Sequence, residues 1–204
     1  MSTLRQRKKD QTRARLIEVS QRLFDEQGYD ATTVEQICKE AEVSSPTLLV
    51  YFASKERLAL ASDYDTLADF RAGVEDPARG ESTIELWRAH VERQARLGEH
   101  DPRAYLRYWR FVTSSPVLVR GALTLVQDYE SVVAEGLGRD FGTDARTDLG
   151  TLLFAQALVS ASQFAVQRWV QEEGTGDLCA SCVAAVDFVI EQYPRPGARP
   201  QRNR

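Results

Sequence analysis

Two cysteines and two histidines are the side chains of this sequence best suited to redox or metal chemistry. Cys179 and Cys182 form a C-x-x-C pair, a spacing found in redox disulfides and in half of many metal sites. The pair follows no thioredoxin-like strand and has no second ligand pair, and His90 and His100 fit no ligand pattern. We therefore expect no metal site and no cofactor, and interpret the cysteines as small packing residues on a helix.

The sequence also lacks the residue patterns that are typical of enzymes. The sequence has no nucleophile and base at triad-like spacing and no phosphate-binding glycine loop, so we do not predict an enzyme. Its 204 residues, with 43% apolar and 27% charged side chains, are typical of one globular domain or two small ones. It has neither a run of about eighteen apolar residues nor an apolar segment after the basic start. We expect a cytoplasmic protein that does not act at a membrane.

Charge is distributed unevenly along the chain. Residues 1–15 carry six basic side chains and one acid, whereas the whole chain has a net charge of −4. A basic arm followed by an acidic body indicates that any polyanion is met by the N-terminal segment.

Helical periodicity and capping residues predict an all-α chain of about nine helices. The first runs from Arg13 to Gly28, a second is opened by a Thr33–Gln36 capping box, and a third is capped by Ser44. A polar break at 73–80 follows a fourth helix at 54–71. We expect the later helices to start at Ser82, Asp101, Ser115 and Thr143, the last of these running over 143–173, with a final helix at 177–193.

The two short helices at 33–52, joined by three residues, have the geometry of a helix-turn-helix. Leu48 and Phe52 face inward, with Ile37 and Cys38 on the preceding helix. A helix that enters the major groove needs short or flat side chains at its leading face. Here that face consists of Ser44, Ser45, Pro46, Thr47 and Val50, and the helix starts at Thr33 and at Ser54-Lys55 are suited to bind phosphate.

Several residues at fixed spacing make residues 13–60 resemble the TetR family of repressors. They are Gly28-Tyr29-Asp30-Ala31-Thr32-Thr33-Val34, Ile37, Ala41, Val43, Ser44, Thr47-Leu48, Tyr51-Phe52 and Ser54-Lys55-Glu56. The resemblance implies that Thr33 opens the helix-turn-helix and that Lys55 contacts phosphate. It also implies that the recognition helix touches bases and phosphates through Ser44, Ser45, Thr47 and Tyr51.

Two departures from the family pattern concern the turn and the recognition helix. Glu42 stands where the family usually has glycine, and a left-handed conformation there costs a residue with a side chain about 1 kcal/mol. Leu49 stands where an aromatic residue is usual. The operator sequence therefore cannot be transferred from relatives.

The C-terminal helices of this family hold a ligand pocket and form the dimer interface. In this sequence, aromatic side chains with a few polar partners suit a cavity for a flat or lipophilic ligand, although a packed helical core would produce the same pattern. The candidate ligand-binding residues are Trp87, Tyr105, Tyr108, Trp109, Phe154 and Gln163. Small residues in 143–173 and 177–193 would let these helices pack as a homodimer interface.

Together these features predict three parts. They are a basic arm and DNA-binding domain at 1–57, a ligand-binding and dimerisation domain at 58–193, and a disordered basic tail at 194–204. The predicted function is a homodimeric repressor, released from a palindromic double-stranded DNA operator when a small-molecule effector moves the helix at 54–71. Two alternatives are a redox sensor triggered through Cys179 and Cys182, and an enzyme with a DNA-binding head.

Overall fold

The computed structural model describes residues 4–193, and within that range the chain is helical with no β-strand, which confirms the all-α prediction. Ten helices follow one another along the chain. Their bounds are α1 Leu4–Gln27, α2 Val34–Ala41, α3 Ser45–Phe52, α4 Lys55–Ala59, α5 Ala61–Glu75, α6 Thr83–His100, α7 Pro102–Thr113, α8 Pro116–Phe141, α9 Leu149–Gln171 and α10 Leu178–Gln192. The tail predicted to be disordered, 194–204, lies outside the described residues.

Most helix starts have the predicted cap. Thr33 forms a complete capping box with Gln36 at the start of α2, and Ser82 forms one with Glu85 at the start of α6. Ser44 accepts a hydrogen bond from the Thr47 amide at the start of α3. These caps satisfy backbone amides that have no partner within the helix.

Two helices differ from their predicted bounds at the start of the chain. α1 begins at Leu4 rather than at Arg13, so the basic residues of the arm from Arg5 onward are helical. The helix predicted at 54–71 is interrupted at Leu60, which separates α4 from α5. Leu58 and Leu60 are both buried. A straight helix would point residues two positions apart in different directions, so the interruption lets both reach the core.

The start of α9 also differs from its prediction. Thr143 does not cap this helix. Asp148 does, accepting a hydrogen bond of 2.8 Å from the Thr151 amide. Asp144 holds the preceding residues in a turn by accepting hydrogen bonds from the Arg146 amide and the Thr147 hydroxyl. Short acidic side chains compete with helical hydrogen bonding in this way.

The described chain divides into two compact units. The first comprises the residues up to Thr66 together with Arg110–Leu125, and the second comprises Leu67–Trp109 together with residues 126–193. Residues 110–125 belong by sequence to the predicted second domain, yet they pack within the first unit. Phe111 lies 5.6 Å from the Phe24 ring, and the buried Ser115 hydroxyl donates to the Asp30 carboxylate over 2.9 Å.

In the second unit α6 packs against α9 and α10. The buried Trp87 indole donates from Nε1 to the Leu158 carbonyl on α9, and Arg88 makes a two-point contact with Asp187 on α10. α9 is long and apolar enough to span a membrane by length and composition. One side of this helix packs against α10 and Trp87, while other apolar side chains, among them Phe164, stay exposed.

Candidate nucleic-acid interface

The helix-turn-helix is formed by α2 and α3, and its turn has a left-handed residue. Glu42 has φ 57° and ψ 42°, which confirms the conformation expected at this position. The Val43 amide donates to the Cys38 carbonyl over 3.0 Å and closes the turn. The Glu42 carboxylate lies 3.4 Å from the Arg15 guanidinium, an exposed pair that contributes little to stability.

The inner faces of α2 and α3 hold the recognition helix in place. Ile37 and Cys38 of α2 and Leu48 and Phe52 of α3 are buried, as their helical spacing predicts. Because these side chains occupy the inside, the opposite face of α3 turns toward solvent.

Several exposed side chains form the outward face of α3. Val50 is 81% exposed and Leu49 is 49% exposed. Pro46 and Ala53 complete the face, while Ser45, Thr47 and Tyr51 are half-buried along its edges. Of the predicted DNA-binding residues on this helix, Pro46 and Val50 are thus the most accessible, and Ser44 is exposed at its start, where its hydroxyl lies 2.7 Å from that of Thr47.

Lys55 is predicted to contact phosphate, and in the structure its side chain is also held by contacts within the protein. Its ammonium group donates to the Tyr29 and Thr32 carbonyls over 2.8 and 2.7 Å and lies 4.0 Å from the centroid of the Tyr29 ring. Burial lowers the pKa of this lysine. Lys55 therefore joins the start of α4 to the turn that precedes α2, and two of its three protons are bound there.

The basic residues of α1 differ in how they are engaged, and Arg15 and Arg22 pair with glutamates. Arg13 pairs with Asp65 at 2.6 Å, and its guanidinium lies 5.2 Å from the Phe52 ring centroid, so it is engaged within the first unit. The remaining basic residues are exposed along the first two turns of the helix and comprise Arg5, Arg7, Lys8 and Lys9. These four residues give this unit an exposed positive surface.

The predicted ligand-binding residues fall into separate groups. Trp87 packs in a buried ring cluster with Phe70, His90 and Tyr129, at centroid distances between 4.8 and 5.9 Å. A second, half-buried group brings Tyr105 and Tyr108 to Trp109, and Tyr105 also to Trp169.

The last two predicted ligand-binding residues lie on α9. Phe154 is buried and stacks on Tyr193 at 5.0 Å, and Gln163 is half-buried.

His90 is a core residue that sequence reasoning left open as a surface or packing residue. It is buried between Phe70 and Trp87, and burial lowers its pKa from 6.5 to about 4, with a smaller contribution from Arg93. The available signal was its spacing of three residues from Trp87 and one from the buried Val91, which places all three on one face of α6.

Sequence models of two domains match this chain. The model of bacterial regulatory proteins of the tetR family matches residues 16–62, and the model of the MftR C-terminal domain matches residues 81–194. The HTH-type transcriptional regulator TcmR of Streptomyces glaucescens is 30% identical over 96% of this chain and 92% of its own length. The protein belongs to the TetR family of transcriptional regulators. The HTH-type transcriptional activator FasR of Mycolicibacterium smegmatis is 25% identical over 88% of the chain and 82% of its own length.

Solved structures share the fold of this regulator. The FadR repressor of Thermus thermophilus, in complex with lauroyl-CoA, has a TM-score of 0.62 and 24% identity and covers 92% of this chain and 98% of its own. A complex of SmeT with triclosan has a TM-score of 0.63 and 18% identity, with coverage of 91% and 93%. These similarities show that the fold is shared.

A cleft of about 350 Å³ lies on the second unit of the regulator. It is lined by charged residues of α6 and by the start of α10, namely Arg88, Glu92, Arg96, Glu99, Asp177, Cys179, Ala180 and Val183. None of the six predicted ligand-binding residues lines it. Within it, Glu92 pairs with Arg96 at 2.6 Å and with Arg88 at 3.8 Å.

The cysteines of the regulator do not favour redox chemistry. All three are free and buried, and burial raises the pKa of Cys179 and raises that of Cys182 to about 12. A thiolate is the reactive form, so these thiols are poor triggers for oxidation and the redox alternative gains no support. No cluster of three or more potential metal ligands occurs in the described part of the chain.

Proposed function

We propose that this regulator is a homodimeric cytoplasmic repressor that a small lipophilic or aromatic ligand releases from a palindromic operator. The observation that carries the proposal is the helix-turn-helix with an exposed α3 face, in a chain whose family membership covers both domains. The lack of an enzyme-like motif in the sequence supports regulation rather than catalysis as its activity.

In this proposal α3 enters the major groove and the flanking helix starts bind phosphate. Ser44, Ser45, Pro46, Thr47, Val50 and Tyr51 form the groove-facing set, and their small or flat side chains support this role. Thr33 and Lys55 bind phosphates on either side. The third Lys55 proton would serve that purpose, since two are bound by the Tyr29 and Thr32 carbonyls.

The ligand site that we propose is the half-buried aromatic group of α7. Tyr105, Tyr108 and Trp109 are half-buried rings that each carry one polar atom, a combination that suits lipophilic ligands. A deeper part of this ligand site would open when the ligand enters and would be lined by Trp87, Phe154 and Gln163. The lauroyl-CoA and triclosan bound by structural neighbours support a ligand of this character.

The dimer interface that we propose uses α9 and α10. Both helices leave apolar side chains exposed, with Phe164 at 66% and Phe188 at 63%. Small exposed residues, among them Ser160, Ala180 and Ala184, would allow close approach of a second copy. A two-fold dimer would set its recognition helices about 34–36 Å apart, the spacing of successive major grooves, and ligand would favour a conformer that lacks this match.

The proposal is tested by measuring binding of the dimer to DNA flanking its own coding region across a salt series. Wild type is expected to prefer one site, and Lys55→Ala to reduce the slope of log affinity against log salt by about 1. Arg96→Ala, which removes an exposed charge of α6 in the second unit, is the control and should retain the wild-type slope.

Lauroyl-CoA and triclosan are then used as probes of release. A probe that binds, as followed by quenching of tryptophan fluorescence, should weaken operator binding. Unchanged operator affinity under saturation by every probe that binds would contradict ligand control, and sequence-indifferent DNA binding would contradict the regulator proposal itself.

A further inference from the structure

The outward face of the recognition helix contains no hydrogen-bonding side chain. Its members are Pro46, Leu49, Val50 and Ala53, all exposed and spaced at positions 0, +3, +4 and +7. The sequence of α3, SPTLLVYF, contains no arginine, lysine, asparagine, glutamine, aspartate or glutamate. Its hydroxyl groups, on Ser45, Thr47 and Tyr51, lie half-buried at the edges of this face.

This composition excludes bidentate hydrogen bonds from α3 to bases. Bidentate reading of guanine requires arginine or lysine, and bidentate reading of adenine requires asparagine or glutamine. Thymine alone among the four bases presents an apolar group, its 5-methyl, in the major groove. An exposed Leu49–Val50 pair therefore matches the chemistry of thymine better than that of the other bases.

The observations favour double-stranded DNA as the occupant of this face. Pro46, Leu49, Val50 and Ala53 form a contiguous exposed apolar face, and contiguous apolar surface of this kind is typical of binding sites. The same unit carries the exposed basic residues Arg5, Arg7, Lys8 and Lys9, which attract a polyanion. An acidic side chain on α3 would oppose that attraction, and α3 has none.

We propose that Val50 and Leu49 recognise thymine methyl groups, so that each operator half-site has thymine at the positions facing the centre of α3. This inference rests on the proposed DNA-binding function and adds to it the identity of the base and the residues that select it. Affinity would come from phosphate contacts, and specificity at these positions from apolar contact with a methyl group.

The test removes the methyl group without changing hydrogen bonding. Preferred sites are first selected by the purified dimer from random duplexes, and each thymine in a selected site is then replaced by deoxyuridine. Binding is followed by fluorescence anisotropy for wild type, Val50→Ala and Leu49→Ala. Val119→Ala, which truncates another exposed valine, on α8, is the matched control.

We expect deoxyuridine to weaken wild-type binding about fourfold at one or two positions of each half-site, the effect of one buried methyl group. The same replacement should change the binding of Val50→Ala or Leu49→Ala less than twofold, whereas Val119→Ala should behave as wild type. Since both residues of α3 are exposed, thermal melts of these variants should match wild type.

Other outcomes separate the two proposals. Absence of any preferred sequence would overturn the proposed function. Preferred sites without conserved thymine, or with equal affinity for thymine and deoxyuridine at every position, would overturn only the thymine inference. The thymine inference would also be overturned if deoxyuridine weakened the binding of Val50→Ala and of Leu49→Ala as much as it weakens that of wild type. If Val50→Ala bound DNA as wild type does but self-associated less, the outward face of α3 would be a contact between copies of the protein instead.

Discussion

Glu42 is a single residue at which sequence and backbone conformation conflict. Its left-handed backbone, with φ 57°, is accessible to glycine without strain, whereas a side chain raises the free energy by about 1 kcal/mol. We expect Glu42→Gly to increase the free energy of unfolding by about 1 kcal/mol, measured by urea denaturation.

The ion pair that this substitution removes is exposed and contributes little. Glu35→Gly is the control for Glu42→Gly, because Glu35 lies in the first turn of α2 with helical geometry. It should lower stability by about 0.5–1 kcal/mol. If Glu42→Gly and Glu35→Gly lowered the free energy of unfolding equally, the left-handed backbone at Glu42 would not be strained.

His90 should make the stability of the second unit depend on pH. Its pKa is lowered from 6.5 to about 4, so between these values the unfolded chain binds a proton that the folded chain does not. Unfolding free energy is therefore expected to fall by up to about 3 kcal/mol as pH decreases from 6.5 to 4. Denaturation at a series of pH values measures this loss.

His90→Phe should reduce this pH dependence, since it keeps a ring in the cluster but removes the titrating group. His100→Phe replaces an exposed histidine of the same helix and should keep the wild-type slope. An unchanged slope in His90→Phe would show that other groups cause the loss of stability at low pH.

Among the elements, α8 packs closely against its neighbours at Gly136. A Cβ atom on Gly136 would lie 2.5 Å from Thr83 Oγ1 and 2.8 Å from Val74 Cγ1, and Thr83 is fully buried. We expect Gly136→Ala to lower the free energy of unfolding by about 1–3 kcal/mol, despite the higher helix propensity of alanine.

Gly73→Ala is the matched substitution in α5, where a Cβ atom would meet no neighbour within 4 Å. It should raise stability by up to about 1 kcal/mol. Thermal melts of the two variants compare them directly, and a gain in stability for both would refute the close packing of α8 against Thr83.

Helix starts were predictable from sequence where the signal is local. The capping boxes at Thr33 and Ser82 involve residues three positions apart, and both form as predicted. The interruption at Leu60 and the late start of α9 were missed, because burial of Leu60 and competition from Asp144 decide them. The exposed face of α3 followed from its inward residues, whereas the carbonyl contacts of Lys55 connect residues 23 and 26 positions apart and leave no local pattern.

At the scale of the whole molecule, membership of the two units depends on contacts between distant residues. Residues 110–125 join the first unit through Phe111 and Ser115, whose partners Phe24 and Asp30 precede them by more than eighty positions. Periodicity within a helix does not reveal such partners. The aromatic residues predicted as one ligand site are likewise divided among separate clusters, because residue type alone does not determine which rings meet.

Assembly of the proposed dimer can be tested with two exposed apolar residues of nearly equal accessibility. Phe188 on α10 is 63% exposed and Leu97 on α6 is 62% exposed. In a two-fold interface Phe188→Glu would introduce two carboxylates, one from each copy, and burial of an unpaired charge is costly. Leu97→Glu makes the same chemical change outside the proposed interface.

We expect Phe188→Glu to raise the dimer dissociation constant at least about tenfold and Leu97→Glu to leave it unchanged, as measured by sedimentation equilibrium. Loss of the dimer should also weaken binding to a full palindrome more than binding to one half-site, because only a dimer holds two recognition helices at the groove spacing. If Phe188→Glu dimerised as wild type while Leu97→Glu did not, the interface would involve α6 rather than α10.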